Sequence, residues 1–229
     1  MKKIFAIFAF LCAAVINIQA ERVFVGAEQT KLYLPLLKGK RVALLSNHTG
    51  IVIQGTDTIH TLDLLLKHGV EVTAIFSPEH GFRGTAREGE HVASSVDAKT
   101  GIPILSLYDG KSQRPSKEAM QTFDILITDI QDVGLRFYTY YVTMYRLMNA
   151  CASEGKQFMV FDRPNPNGFY VDGPILDMKH KSGVGALPIP VVHGMTLGEL
   201  AQMINGENWL NDSMKVDLTV IPCKNHTHQ

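Results

Sequence analysis

The sequence lacks any excess of charge of one sign. Among its 229 residues, 22 basic side chains face 22 acidic ones, and 45% of the residues are hydrophobic. Because proteins that bind nucleic acids are usually basic, this balance argues against a nucleic-acid partner. Disordered chains contain fewer apolar residues and carry a larger net charge. The composition is therefore that of a globular protein long enough to bury a sizeable core.

The motifs of common cofactor and metal sites are also missing. The sequence contains no GxGxxG, no GxxxxGK[ST], no HExxH and no pair of CxxC motifs. The first two absences exclude the dinucleotide fingerprint and the P-loop, and we expect no cofactor and no metal. An alternative keeps a metal site open: His48, His80, His193 and Asp129 come from separate loops, without diagnostic spacing, that could converge.

Long apolar runs are confined to the first twenty residues. Lys2 and Lys3 precede an apolar run at residues 4–16, and the small Ala20 ends the segment. This order is typical of a secretory signal, and its apolar part is too short to span a bilayer comfortably. We predict that residues 1–20 are a signal peptide and that the mature chain, with 20 basic and 22 acidic side chains, is exported and has no membrane span.

Cysteine is scarce as well. Cleavage after residue 20 would remove Cys12 and leave Cys151 and Cys223. These two could form one disulfide in an exported protein, but a compact domain of this size does not need a covalent link. We expect buried free thiols.

What the sequence does contain is a regular alternation of strands and helices. We predict helices at residues 61–68, after Pro115, at 137–154 and at 196–205. We predict strands at residues 41–46, 70–76, 102–107, 124–128, 157–161 and 216–222. This pattern predicts an α/β fold, a Rossmann-like and mostly parallel sheet with helices on both faces.

Polar turns that contain Gly or Pro follow five of the predicted strands. They are SNHTG (46–50), SPEHGFRG (77–84), YDG (108–110), DIQDVGLRFYTY (129–140) and DRPNPNG (162–168). Ligands of open α/β sheets bind beyond the carboxyl ends of the strands, where such loops meet. Turn formers alone would explain any single loop. Five in succession predict a binding site at this edge of the sheet.

Carboxylates in these loops are the candidates for acid–base chemistry. Glu79 lies between Pro78 and His80, and a carboxyl group held there in a region of low dielectric could have a raised pKa and donate a proton. The alternative is a solvated glutamate paired with Arg83. Hydrolysis of a glycosidic bond commonly uses two carboxyl groups. Asp129, Asp132 and Asp162 are candidates for the second.

Three arginines follow different strands and could bind an anionic group: Arg83, Arg136 and Arg163. Surface ion pairs are the alternative for each of them. The remaining candidates for substrate binding lie in the same set of loops or shortly after them: Asn47, His48, Tyr138, Asp162, Asn165 and His193.

Four of these loop motifs, together with HGMTLGE at residues 193–199, resemble those of the bacterial exo-β-N-acetylmuramidases of glycoside hydrolase family 171, long described only as a domain of unknown function. The resemblance runs from about residue 24 to the end of the chain. It implies a periplasmic or cell-wall-associated glycosidase that releases N-acetylmuramic acid from the non-reducing end of peptidoglycan fragments. Residues 21–222 would be its Rossmann-like catalytic subdomain, and residues 223–229 the start of a second subdomain that forms the other wall of the cleft.

The resemblance also assigns roles to residues. The family's proposed catalytic glutamate lies in SPEHGFRG, which carries over to Glu79. His80, beside it, is a further catalytic candidate. Muramic acid bears an acidic lactyl group, and one of the three arginines would bind it. The sugar's own 2-acetamido group could act as the nucleophile. Because family members are considerably longer, a non-catalytic module that binds peptidoglycan sugars stays open as an alternative. A metal-dependent hydrolase that uses His48, His80 and His193 is the other alternative.

Overall fold

The computed structural model describes residues 21–78, 82, 95–107 and 114–229. The helices in these ranges are α1 (Thr30–Leu37), α2 (Thr61–Lys67), α3 (Lys117–Met120), α4 (Tyr140–Ser153) and α5 (Leu197–Gly206). The strands are β1 (Arg41–Ser46), β2 (Ile51–Gln54), β3 (Asp57–His60), β4 (Glu71–Ser77), β5 (Ser95–Val96), β6 (Pro103–Ser106), β7 (Ile125–Asp129), β8 (Gln157–Phe161) and β9 (Asp217–Ile221). Short 3-10 turns lie at Gly26–Glu28, Met178–His180 and Asn211–Ser213.

Seven strands form one sheet in the order β5-β6-β4-β1-β7-β8-β9. Every neighbouring pair in it is parallel except β5 and β6, which are antiparallel. The expected α/β fold with a mostly parallel sheet is confirmed. Parallel strands end at the same edge, and the register places Ser46, the last residue of β1, beside Asp129, the last of β7. The loops after β1, β7 and β8 therefore leave the sheet side by side.

The sheet is buried on both faces because its central strands are apolar at nearly every position. Ala43 and Leu45 face one hydrophobic cluster, which also contains Tyr141 and Met148 of α4. Val42 and Leu44 face the opposite cluster, which contains Tyr33 of α1 and Leu62 of α2. The two layers of helices exclude water from the sheet and leave its edges and strand ends for the polar residues.

Sequence periodicity located the sheet strands β1, β4, β6, β7, β8 and β9 to within a few residues, but it missed three elements. These are α1, the hairpin formed by β2 and β3, and the edge strand β5. Helix α1 carries Pro35 in its interior and exposes Leu32 and Leu36, so its apolar pattern does not mark one buried face. The hairpin has an alternation of only four residues a strand, and it turns at Gly55, whose φ is +64°.

Among the described residues, no helix has the length and apolar character needed to cross a membrane. The proposed signal segment, residues 1–20, lies outside the described residues. Cys151 is buried in α4 and Cys223 is half-buried after β9, and both are free thiols. Burial raises the pKa of each thiol to about 12, so both are protonated at neutral pH.

The turn at Gly26–Glu28 closes over the ends of β8 and β9. The Gly26 amide donates to the Asp162 carbonyl at 2.8 Å, and the Asp162 amide donates to the Ile221 carbonyl at 3.0 Å. A Cβ atom on residue 26 would lie 2.3 Å from that Ile221 oxygen and 2.6 Å from the Asp162 nitrogen. Only glycine lets the backbone come this close, and the contact fixes the start of the loop after β8.

We expect Gly26→Ala to lower the free energy of unfolding by about 2 kcal/mol or more, because the atoms it meets are backbone and cannot move aside. Urea denaturation followed by circular dichroism measures the loss. Gly183→Ala is the matched control, since a Cβ there meets nothing within 4 Å. Equal stability of the two variants would contradict the close packing described for this turn.

Candidate functional site

A row of buried polar side chains lies at the carboxyl edge of the sheet, although polar side chains are mostly exposed in folded proteins. Of the candidates named from the sequence, seven are buried there: Asn47, Asp129, Asp132, Asp162, Arg163, Asn165 and His193. Because a buried polar group needs a partner, the contacts of each show whether it holds the fold or faces a ligand.

Asp129 and Arg163 form a buried ion pair at the centre of this edge. Arg163 donates from Nε to Asp129 Oδ1 at 2.6 Å and from Nη2 to Oδ2 at 3.1 Å. The Thr61 hydroxyl also donates to Asp129, and Arg163 Nη2 donates to the Ile51 carbonyl at 3.0 Å. Both charges are matched inside the protein. Arg163 therefore lies where we expected an anion clamp, but its charge is balanced by Asp129.

Asp162 follows β8 and is hydrogen-bonded through both carboxyl oxygens. Its Oδ1 accepts from the amides of Arg163 at 3.0 Å and Gly198 at 2.8 Å, and its Oδ2 accepts from the Thr196 hydroxyl at 2.6 Å. Burial raises the pKa of this carboxyl group, although these hydrogen bonds oppose the rise. A Cβ on Gly198 would lie 2.7 Å from Asp162 Cγ, so the glycine permits the contact. Asp162 joins β8 to the start of α5.

The two asparagines fasten loops to one another. Asn47 donates to the Tyr140 hydroxyl at 3.0 Å and accepts from the Thr49 amide at 2.9 Å, which ties the loop after β1 to the start of α4. Asn165 donates to the Met195 carbonyl at 2.9 Å. It also packs against Gly134, whose φ is +73°, and a Cβ on Gly134 would lie 2.2 Å from the Asn165 amide nitrogen.

Asp132 and His193 differ from these groups because each keeps a buried atom without a hydrogen-bond partner among the described residues: Oδ2 of Asp132 and Nε2 of His193. Both contact the loop at Gly134. The Gly134 amide donates to Asp132 Oδ1 at 2.8 Å, and the His193 amide donates to the Gly134 carbonyl at 3.1 Å. Burial raises the pKa of Asp132 to about 6 and lowers that of His193 to about 4.

The remaining described candidates lie nearer the surface. Arg136 donates from Nη1 to the carbonyls of Pro174 at 2.8 Å and Ile189 at 2.7 Å. Tyr138 is 37% exposed, and its ring packs edge-on against that of Tyr140. His48 is exposed. These three side chains lie at the rim of the buried polar row, where a ligand could contact them.

Glu79, His80 and Arg83 lie outside the described residues. On either side of Glu79, Ser77 and Phe82 are buried, and the Phe82 ring meets the His60 ring edge-on at 4.9 Å. Within the described ranges, no group of three His, Cys, Asp or Glu side chains could hold a metal ion. The metal site considered from the sequence depends on His80 and stays untested.

Sequence reasoning missed the threonines and glycines that complete this edge. Thr196 belongs to a capping box with Glu199, a T-x-x-E pattern that is readable from the sequence. Thr61 and Gly198 carry no such signal, because their partners Asp129 and Asp162 are distant along the chain.

Comparison with known proteins identifies the family of this chain. Residues 42–229 match the family model described as "Exo-beta-N-acetylmuramidase NamZ, N-terminal". The chain belongs to this family. It is 47% identical over 194 residues to the peptidoglycan β-N-acetylmuramidase NamZ of Bacillus subtilis (strain 168), a match that covers 84% of this chain and 45% of that protein. The resemblance found in the loop motifs is thereby confirmed.

Two crystal structures of DUF1343 family proteins from Bacteroides fragilis NCTC 9343 share the NamZ-type fold of this chain. One has a TM-score of 0.80 at 61% identity and the other a TM-score of 0.81 at 37% identity. Each match covers 91% of this chain, but only 54% and 52% of those chains. The chain thus spans about half the length of the relatives it matches.

We expect Asp129→Asn to destabilise the fold by about 3 to 5 kcal/mol, because it leaves the Arg163 guanidinium buried without a counter-charge. Chemical denaturation at pH 7 measures the change. Asp124→Asn is the matched control: Asp124 pairs with Arg41 at 2.8 Å, but both side chains are about 40% exposed, so the loss should be much smaller. Similar losses in both variants would contradict a central role for the buried pair.

We expect Asp132→Asn to stabilise the protein at neutral pH. The unfolded carboxyl group ionises near 3.8, whereas the folded one keeps its proton to about 6. Since the unfolded state loses its proton first, the free energy of unfolding falls as pH rises between these values, by about 3 kcal/mol for such a shift. Because asparagine cannot ionise, the free energy of unfolding of Asp132→Asn should not show this decrease.

Unfolding free energies measured from pH 3 to pH 7.5 test this expectation. The control is Asp57→Asn, an exposed position on the hairpin. A wild-type profile parallel to that of Asp132→Asn across the whole range would refute the raised pKa.

Proposed function

We propose that this chain forms the Rossmann-like, acid-bearing half of an exo-β-N-acetylmuramidase that releases N-acetylmuramic acid from the non-reducing end of peptidoglycan fragments. The observation that carries the proposal is 47% identity, over most of the chain, to a protein named as a peptidoglycan β-N-acetylmuramidase. The buried polar row at the carboxyl edge of the sheet supports it, because that edge is where such folds bind ligands. Export to the periplasm or cell wall belongs to the same proposal and rests on residues 1–20.

Glu79 is the proposed general acid and base. It follows β4 by two residues, and the flanking Ser77 and Phe82 are buried. A glutamate whose carboxyl group lies in a region of low dielectric can hold a proton near neutral pH and donate it to the leaving oxygen. His80 and the rim residues His48, Arg136 and Tyr138 are proposed to contact the substrate.

The second catalytic group need not come from the protein. Asp129 is neutralised by Arg163, and Asp162 accepts three hydrogen bonds, so neither carboxylate is available as a nucleophile. This supports a substrate-assisted route. The acetamido carbonyl oxygen attacks the anomeric carbon while Glu79 protonates the departing oxygen, and Glu79 then takes a proton from the water that opens the cyclic intermediate. Asp132, whose Oδ2 has no hydrogen-bond partner among the described residues, remains the candidate for a second catalytic carboxyl group from the protein.

Release of N-acetylmuramic acid from a chromogenic muramide by the full-length protein tests this function. We expect Glu79→Gln to lower kcat at least about 100-fold, the usual contribution of a general acid. Glu71→Gln is the matched control, because Glu71 is exposed at the first residue of β4, at the opposite edge of the sheet. Undiminished turnover by the Glu79 variant would remove Glu79 from the mechanism.

Two further measurements separate the alternatives. A metal-dependent hydrolase would lose activity in excess EDTA, whereas the proposed mechanism keeps it. A non-catalytic sugar-binding module would show heat on calorimetric titration with a muramyl disaccharide but release no product. Binding without product from the full-length protein would therefore replace the proposed enzyme with a binding module.

A further inference from the structure

A groove of about 450 Å³ lies along one face of α4, and none of the seven residues of the buried polar row lines it. Its lining residues on α4 recur every three or four positions between Val142 and Ser153, as one stripe of a helix does. Residues 181–186 and 211–214 contribute the rest of the described lining, together with Arg114. The groove is therefore a second concave surface, separate from the carboxyl edge of the sheet.

The lining of this groove carries more positive than negative charge. It contains three cationic side chains, Arg114, Arg146 and Lys181, and one carboxylate, Asp212. Arg114 lies 3.8 Å from Glu154, so its charge is partly balanced. Arg146 and Lys181 have no carboxylate partner among the described residues, and Arg146 has no hydrogen-bond acceptor there either. Two cations are thus left for a ligand to neutralise.

The contacts of the cationic groups show where they lie along the stripe. The Lys181 ammonium group lies 5.4 Å from the centre of the Tyr145 ring. The Arg114 guanidinium donates to the Ser153 hydroxyl at 2.7 Å, eight residues and about 12 Å further along the helix axis. Arg146 follows Tyr145 directly and is half-buried. A guanidinium binds a phosphate or carboxylate through two parallel N–H bonds, and a neighbouring ammonium group adds a further donor.

The loop that lines the groove after α5 has a strained backbone. Residues 212–213 both have a φ of +54°, a value that residues other than glycine rarely adopt. Two contacts with α4 hold this loop: the Tyr145 hydroxyl donates to the Trp209 carbonyl at 3.0 Å, and the Asn211 amide donates to Asn149 Oδ1 at 2.7 Å. Strain of this kind clusters at functional sites, where the surrounding structure maintains it. The groove is therefore preformed on a rigid base.

We propose that this groove is a second binding site, for a small molecule in which a phosphate or carboxylate group is joined to an apolar part. The anionic group pairs with Arg146 and Lys181. The apolar part packs on the apolar side chains of the lining, which are Val142, Ala150, Ala186 and Met214. Concave sites that combine an apolar surface with a few polar groups are those that bind small molecules. The inference does not depend on the proposed muramidase activity.

Calorimetric titration of the full-length protein with three small probes tests this site: phenyl phosphate, phenylacetate and the uncharged benzyl alcohol. We expect at least one of the anionic probes to bind about tenfold or more tightly than benzyl alcohol, because its charged group accepts hydrogen bonds from cations. Tighter binding of phenyl phosphate assigns a phosphate ligand, and tighter binding of phenylacetate assigns a carboxylate ligand. If neither anionic probe binds more tightly than benzyl alcohol, the proposal is overturned.

Variants of the two cations locate the binding. We expect Arg146→Met, which keeps an apolar stem without the charge, to weaken binding of the tighter anionic probe about tenfold, and Lys181→Met to weaken it too. Lys179→Met is the matched control, because Lys179 is exposed, pairs with Asp177 at 2.7 Å and lies outside the groove lining. Thermal melts check that each variant is folded. Unchanged binding in folded Arg146→Met and Lys181→Met would refute the site.

Variants at the carboxyl edge distinguish this groove from the proposed catalytic site. We expect Glu79→Gln and Arg136→Met to bind the anionic probe as the wild-type protein does, because neither residue lines the groove. We also expect Arg146→Met to keep the wild-type turnover of a chromogenic muramide. Probe binding that is lost in Arg136→Met but kept in Arg146→Met would place the anion at the carboxyl edge and overturn the proposal.

Discussion

The buried ion pair between Asp129 and Arg163 is the constraint on which the carboxyl edge of the sheet depends. It joins the end of β7 to the loop after β8, and through Thr61 and the Ile51 carbonyl it also reaches α2 and the β2–β3 hairpin. A buried pair of charges is favourable only when hydrogen bonds also satisfy the remaining lone pairs and N–H groups of the two side chains. The pair thereby holds the hairpin and α2 together with the end of β7 and the loop after β8, which gives the neighbouring loops a rigid base.

The same requirement distinguishes the buried polar groups that are fully hydrogen-bonded from those that are not. The polar atoms of Asp162, Asn47 and Asn165 form hydrogen bonds with α5, α4 and neighbouring loops. Asp132 and His193 each retain one unmatched atom. A buried unmatched atom raises the free energy of the unliganded protein, and that cost is recovered when a ligand supplies the missing partner. These two residues, rather than the better-connected ones, therefore carry the larger cost of burial in the structure described.

The sequence predicts the framework because the framework follows from local patterns. Apolar runs placed β1, β7 and β8, and the polar turns after them correctly pointed to one edge. Local patterns cannot say what a polar side chain faces. Arg163 reads as an anion clamp, but the carboxylate that neutralises it lies 34 positions earlier in the chain, at Asp129. The hairpin, α1 and β5 were missed because short or two-sided apolar patterns are formed by tertiary packing rather than by periodicity.

The hydrogen bonds that the arginines already form limit which of them could bind an acidic sugar. A lactyl carboxylate needs a cation with free N–H groups, and Arg163 has its Nε and Nη2 committed to Asp129 and Ile51. Arg136 uses Nη1 on two carbonyl oxygens, which fixes its guanidinium at the rim but leaves its charge without a carboxylate partner among the described residues. Arg83 follows Glu79 by four positions. Of the arginines proposed to bind the lactyl group, Arg136 is thus the described one whose charge is still available.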